Sequence, residues 1–196
     1  MRRVMHFMGL TLIAVIPSLI GVPIASAHEP TAHVHGRATL EVAIEGGSVQ
    51  ISLDSPLDSL LGFERAPRNE KERQSVREMS LKLRQSDHAF VFPPQSQCRL
   101  ESVQLESAVI EQSLLAAGSD SNAVKDRDKS SVNSPDVHSE LSATWHFQCA
   151  APESLQGVKV SLFQYFPSLK RIDAAVVGPK GQSRTRLSPK SNQLKW

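Results

Sequence analysis

The sequence predicts a mainly β (α+β) fold: an antiparallel sheet or β-sandwich of about seven strands, with one covering helix and a disordered insertion. Three observations carry this expectation. Apolar and polar residues alternate over several short stretches, turn residues separate those stretches, and only one segment repeats its apolar residues at helical spacing.

The first 27 residues are expected to be removed. Arg2 and Arg3 are followed by an apolar stretch to Ile24 and the small-residue run Ala25-Ser26-Ala27, the layout of a secretory signal peptide cleaved after Ala27. A retained anchor is the competing reading, but His6, Pro17 and Pro23 interrupt the stretch, and the first cysteine is Cys98, too far on to carry a lipid. After cleavage no membrane insertion is expected. Loss of Arg2 and Arg3 takes Lys plus Arg from 22 to 20 against 20 Asp plus Glu, so the net charge falls from +2 to zero. No basic arm remains to bind nucleic acid. Residues 28–196 are enough for one domain with a real core.

The first strand pair lies in residues 33–54. Val34, Ala38, Leu40, Val42 and Ile44 alternate with His33, His35, Arg37, Thr39 and Glu41. The turn "EGGS" follows, and then Val49, Ile51 and Leu53 alternate with polar residues, which reads as a β-hairpin. The helix starts after Asn69, an N-cap with Glu72 placed to complete a capping box. Val76, Met79 and Leu83 form its narrow apolar stripe. "CRLESVQLES" reads as the next strand. Residues 116–137 have no periodicity and many Ser and Asp residues, so they are expected to be a flexible insertion. In "HSELSATWHFQC" Leu141, Ala143, Trp145, Phe147 and Cys149 share one face, while His138, Glu140, Ser142, Thr144 and His146 share the other. "VKVSLFQYF", "RIDAAVV" and "SRTRL" complete the strands, with "GPKG" as the last turn.

Two cysteines, Cys98 and Cys149, make an even pair in an exported chain, which points to a disulfide closing a loop of about 50 residues. A pair of soft metal ligands is the alternative, although no C-x-x-C spacing occurs. The sharpest candidate for chemistry is the H-x-H of His33 and His35. On a strand the two rings would point the same way about 7 Å apart and could lean onto one ion. His28, the new N-terminus after cleavage, would add an imidazole and an α-amino group. Imidazoles suit Zn²⁺, and also Cu²⁺ or Ni²⁺. His138 and His146 are eight residues apart on one strand, over ~25 Å, and cannot serve one ion together. His88 reads as a packing or capping residue. Glu64 and Arg65 in "GFERAP" read as a surface ion pair. No G-x-S-x-G, P-loop, H-E-x-x-H or G-x-G-x-x-G occurs, and an enzyme is not expected.

"HVHGRATLEVAIEGGSVQISLDSPLDSLLGFERAP", "HSELSATWHFQC" and "LFQYFPSLKRIDAAVVGPKGQ" together resemble the periplasmic zinc-binding proteins of the zinc-regulated family. The combination of H-x-H-G, S-P-x-x-x-L-x-G-F-E and F-P-x-L carries the resemblance. It implies an exported bacterial protein of the periplasm that binds Zn²⁺. Such a protein would assist high-affinity uptake beside the solute-binding component of a zinc ABC transporter. It also implies His33, His35 and His138 as metal ligands, with Glu64, His28 or water completing the coordination. Two departures stand out. Arg65 occupies a position where family members usually carry histidine, and residues 116–137 contain no histidine. High-capacity buffering by the insertion is therefore not expected, which leaves room for a single tighter site or for a role with little metal. Neutral imidazoles are required, so affinity should fall below a pH of about 6.5. The rival readings are an envelope interaction module without metal and a copper-binding periplasmic protein that uses His28.

Overall fold

The architecture is a six-stranded sheet with a smaller sheet and one long helix against one of its faces. In a computed structural model, residues 34–85, 89–116 and 139–196 are described. The expected signal peptide (1–27), His28, His33, His88, His138 and residues 117–137 of the expected insertion lie outside them. The elements in chain order are β1 (Arg37–Glu45), β2 (Ser48–Pro56), α1 (Leu57–Leu61), α2 (Glu70–Arg84), β3 (Phe90–Val91), β4 (Cys98–Glu106), α3 (Gln112–Leu115) and β5 (Glu140–Cys149). They continue with β6 (Gly157–Val160), α4 (Leu162–Tyr165), β7 (Arg171–Gly178), β8 (Gly181–Leu187) and β9 (Gln193–Lys195). Among the described residues no helix is long and apolar enough to cross a membrane.

The large sheet has the order β4-β5-β2-β1-β7-β8, and the small one β3-β6-β9. The mainly β class is as expected. Seven of the nine strands fall on the stretches read as strands; β3 and β9 are two and three residues long, too short to display alternation. Every pair is antiparallel except β1 with β7, which runs parallel from Arg37↔Arg171 to Ala43↔Val177. Alternation fixes which face a side chain takes and carries no information on strand direction.

The inner face is apolar by the period-two rule. Leu40 and Val42 of β1, Val49, Ile51 and Leu53 of β2, Leu141, Trp145 and Phe147 of β5, and Ile172 and Val176 of β7 are all buried. Trp145 joins the layers. Its indole Nε1–H donates to the carbonyl of Leu83 at the end of α2 (2.8 Å), and its ring meets Phe90 of the small sheet edge-on at 4.8 Å. A buried indole N–H without a partner would cost about 1–3 kcal/mol, so this bond fixes where α2 ends over β5. Val76, Met79 and Leu83 are buried, as the helical stripe requires. The stretch "VKVSLFQYF" departs from expectation: β6 stops at Val160 and α4 begins at Leu162. Leu162, Phe163 and Phe166 are buried at helical spacing, and burying all three overrides the strand alternation begun by Val158 and Val160.

β1 also begins later than the alternation suggests. Residues 35 and 36 form a turn, closed by Arg37 N–H donating to the Val34 carbonyl (3.1 Å), and Val34 is exposed. Gly36 is the cause, with a left-handed φ of 75°. Its N–H donates to the buried Ser59 hydroxyl (2.9 Å), and its carbonyl accepts from Lys170 N–H (2.8 Å) and Arg171 N–H (3.0 Å). A Cβ there would stand 3.1 Å from the Ser168 carbonyl oxygen. Gly36→Ala should therefore destabilise the chain by about 1–2 kcal/mol, checked by denaturant unfolding.

Candidate metal centre

α1 is the short element around which the candidate site is assembled. Pro56 precedes it, Leu57 and Ser59 are buried on its inner side, and Asp58 faces outward. Gly62 ends it in a left-handed conformation, its N–H donating to the Asp58 carbonyl (2.9 Å). On one side the Gly36–Ser59 bond fastens the turn that carries His35. On the other, Leu57 N–H donates to the carbonyl of Ser139 (2.9 Å), so the root of β5 is fastened to the same helix. Ser139 is the chain neighbour of His138.

His35 sits in this turn with its side chain 65% exposed and a carboxylate at each ring nitrogen. Nδ1 is 3.1 Å from Asp58 Oδ2, and Nε2 is 3.3 Å from Glu64 Oε1. Neither contact has the alignment of a hydrogen bond. Asp58 and Glu64 flank different nitrogens, and among the described residues no three of His, Cys, Asp and Glu group as a metal site. The arrangement nonetheless fits one ligand pair. Donors 2.0–2.1 Å from a tetrahedral Zn²⁺ stand about 3.3 Å from each other, which is the separation of Nε2 and Glu64 Oε1. An ion held by those two atoms would leave Nδ1–H beside Asp58. A carboxylate in that place fixes the tautomer and ring orientation of a metal-bound histidine.

Glu64 is positioned by the loop between α1 and α2. Arg65 donates from both Nη atoms to Glu72 (2.7 and 2.9 Å), and its guanidinium lies 5.3 Å from the centre of the Phe63 ring. Glu72 Oε2 also accepts the Arg68 N–H (2.6 Å), and Asn69 Oδ1 accepts the Glu72 N–H (2.9 Å). The capping box expected at Asn69 is thus half formed, because the Glu72 carboxylate is drawn to Arg65 and Arg68 instead of Asn69 N–H. For the same reason Glu64 and Arg65 are not an ion pair with each other: Glu64 meets His35 and Arg65 meets Glu72.

The hydrogen bonds from Arg65, then from Arg68 N–H, hold the Glu72 carboxyl down at about 2, against an ordinary 4.5. A carboxyl depressed in the folded state stabilises fully above its unfolded value and ceases to do so as pH falls toward about 2. Glu72→Gln should lower the melting temperature at neutral pH. The gap to the parent chain should close across the window from about 4.5 down to about 2, as thermal melts at several pH values would record.

The expected ligands are therefore distributed as follows. His35 and Glu64 are together. His28, His33 and His138 lie outside the described residues. His35 stands in a turn ahead of β1, set by Gly36, and not on the strand expected for it. Asp58 was not anticipated, because an acidic residue in the first turn of a helix is ordinary and only the fold brings it to His35. His146 is half-exposed on the outer sheet face, with Gln50 and Ser102 as its strand partners. Cys98 and Cys149 form the expected disulfide between directly paired residues of β4 and β5, so neither is a metal ligand. The family model described as "ZrgA family zinc uptake protein" matches residues 32–196. No curated protein matches the chain.

Proposed function

This chain belongs to the ZrgA family of zinc uptake proteins, and from that premise we propose that it is an exported, non-enzymatic zinc-binding accessory protein. A role in zinc uptake follows from the family; the remainder is our reading. The chain would work in the periplasm after cleavage at Ala27. It would capture Zn²⁺ and pass it toward the solute-binding component of a zinc ABC transporter.

The observation that carries this reading is the placement of His35 between Asp58 and Glu64. Nε2 and Glu64 would supply two ligands and Asp58 would hold the ring. His33 lies two residues from His35, and His138 is joined to Ser139 at the first residue of α1, so both are candidates for the third position. His28 or water would be the exchangeable fourth. A site with an exchangeable position suits handing metal on, since an acceptor can displace the weakest ligand before the others let go. Exposure of the imidazole at the surface favours the same use.

The test is a zinc titration of the chain against His33→Ala/His35→Ala. Loss of the tight site is the expected result. An unchanged dissociation constant in the double variant would remove this site from consideration.

A further inference from the structure

The outer face of the large sheet is polar and uncovered among the described residues, and four of its arginines gather at one corner. Strand register places Arg37 and Arg171 side by side, Asp173 opposite Arg186, and Ala175 opposite Arg184. Three guanidiniums converge on the single carboxylate of Asp173. Arg37 Nη2 is 3.0 Å from Oδ2, Arg171 Nη2 is 2.6 Å from Oδ1, and Arg186 Nε is 3.6 Å from Oδ1. The Arg184 side chain has no hydrogen bond or ion pair among the described residues. One carboxylate cannot offset four guanidiniums, and Glu41, in the row of Ala175 and Arg184, is the next acidic group on this face. The corner therefore holds an excess of positive charge with unused N–H donors.

The same corner is an open sheet edge. Among the described residues β8 pairs only with β7, residues Gly181–Arg186 are exposed on both faces, and no group bonds the outer edge of β8. The opposite edge, β4, is treated differently. It carries a bulge between Leu100 and Ser102, and side chains bond its carbonyls: Arg84 Nη1–H donates to Val103 (3.1 Å) and Gln112 Nε2–H to Leu105 (3.1 Å). One edge is blocked and the other is left free beside Arg184 and Arg186. A long free edge is a template for another strand.

We propose that β8 is a docking edge for an extended acidic segment of a partner protein, which adds to the sheet as a further strand. Alternate residues of such a segment would lie on the outer face about 7 Å apart, beside Arg184 and Arg186. The recognised pattern is thus acidic-x-acidic, with main-chain bonds supplying pairing and the carboxylates supplying register. A second copy of this chain is a poor occupant, because an antiparallel β8 from a partner would bring four arginines of like charge onto one face.

The experiment measures fluorescence anisotropy of labelled octapeptides with the full chain. One peptide alternates Glu and Thr, and its isomer has the same composition with the four Glu in a block. The alternating peptide should bind about ten-fold tighter than the block isomer. That margin should vanish in Arg184→Gln/Arg186→Gln, and binding should weaken as salt is raised. Both arginines are exposed, so a circular dichroism melt of the double variant confirms that it folds. Equal binding of the two peptides, or no effect of the double substitution, would overturn the proposal. So would Arg-dependent capture of inorganic phosphate or phosphatidylglycerol vesicles without preference for the alternating peptide.

Discussion

Replacing both cysteines, Cys98→Ala/Cys149→Ala, should destabilise the chain by about 4 kcal/mol and lower its melting temperature by roughly 8–16 °C. The bridge joins residues 51 apart in sequence, so its removal lets the unfolded chain recover the freedom of a long closed loop. The folded state loses less. Cys98 and Cys149 are partners in the β4–β5 ladder, which continues to the Glu106↔Ser142 pair, and Arg84 and Gln112 still fasten β4 from its other side. The effect should therefore be seen as easier unfolding of a chain whose native circular dichroism is unchanged. Unfolding the parent chain with and without reductant is an independent check, and a shift below about 2 °C in both experiments would contradict the loop-entropy account.

The second large effect concerns metal. Against the parent chain, His35→Ala should weaken the tight zinc site by more than about 100-fold, and Asp58→Asn by about 10–100-fold. The two differ because the first removes a donor atom and the second only loosens the ring that carries it. Asparagine keeps the size of the side chain but removes the carboxylate beside Nδ1, so the ring is less well held. Competition with a chromophoric zinc chelator measures both. His35 is largely exposed, and neither change removes a buried contact, so thermal stability without metal should stay close to that of the parent. A ranking in which Asp58→Asn matches the parent would leave Asp58 as a mere neighbour. If His35→Ala also matched it, zinc would have to be held elsewhere.

How much of this was legible in the sequence depends on how local the cause is. The β1–β2 and β7–β8 hairpins are joined by short turns at Gly46-Gly47 and Pro179-Lys180, and each is readable from alternation plus turn chemistry. The start of α2 was readable from Asn69, whose side chain caps Glu72 N–H. What was not readable depends on distant residues. The parallel pairing of β1 with β7, the short strands β3 and β9, and the helical end of "VKVSLFQYF" are settled by burial against elements far along the chain. The site divides the same way. His35 stands out in H-x-H and Glu64 in the G-F-E segment of the resemblance, whereas Asp58 meets His35 only because the Gly36–Ser59 bond brings the turn against α1. Gly36 also takes His35 out of the strand geometry that alternation implies for it. A left-handed residue beside a histidine is invisible to a period-two count.

The parallel β1–β7 pair has a consequence for how the molecule is made. β1 belongs to the first quarter of the chain and β7 to the last, so synthesis from the N-terminus leaves one rim of β1 bare until residue 178 has emerged. Contacts of such high order slow folding and lengthen the interval in which a nascent strand can pair wrongly. A truncated product ending before Arg171 would carry an aggregation-prone β1–β2–β5 fragment, incapable of finishing its own sheet.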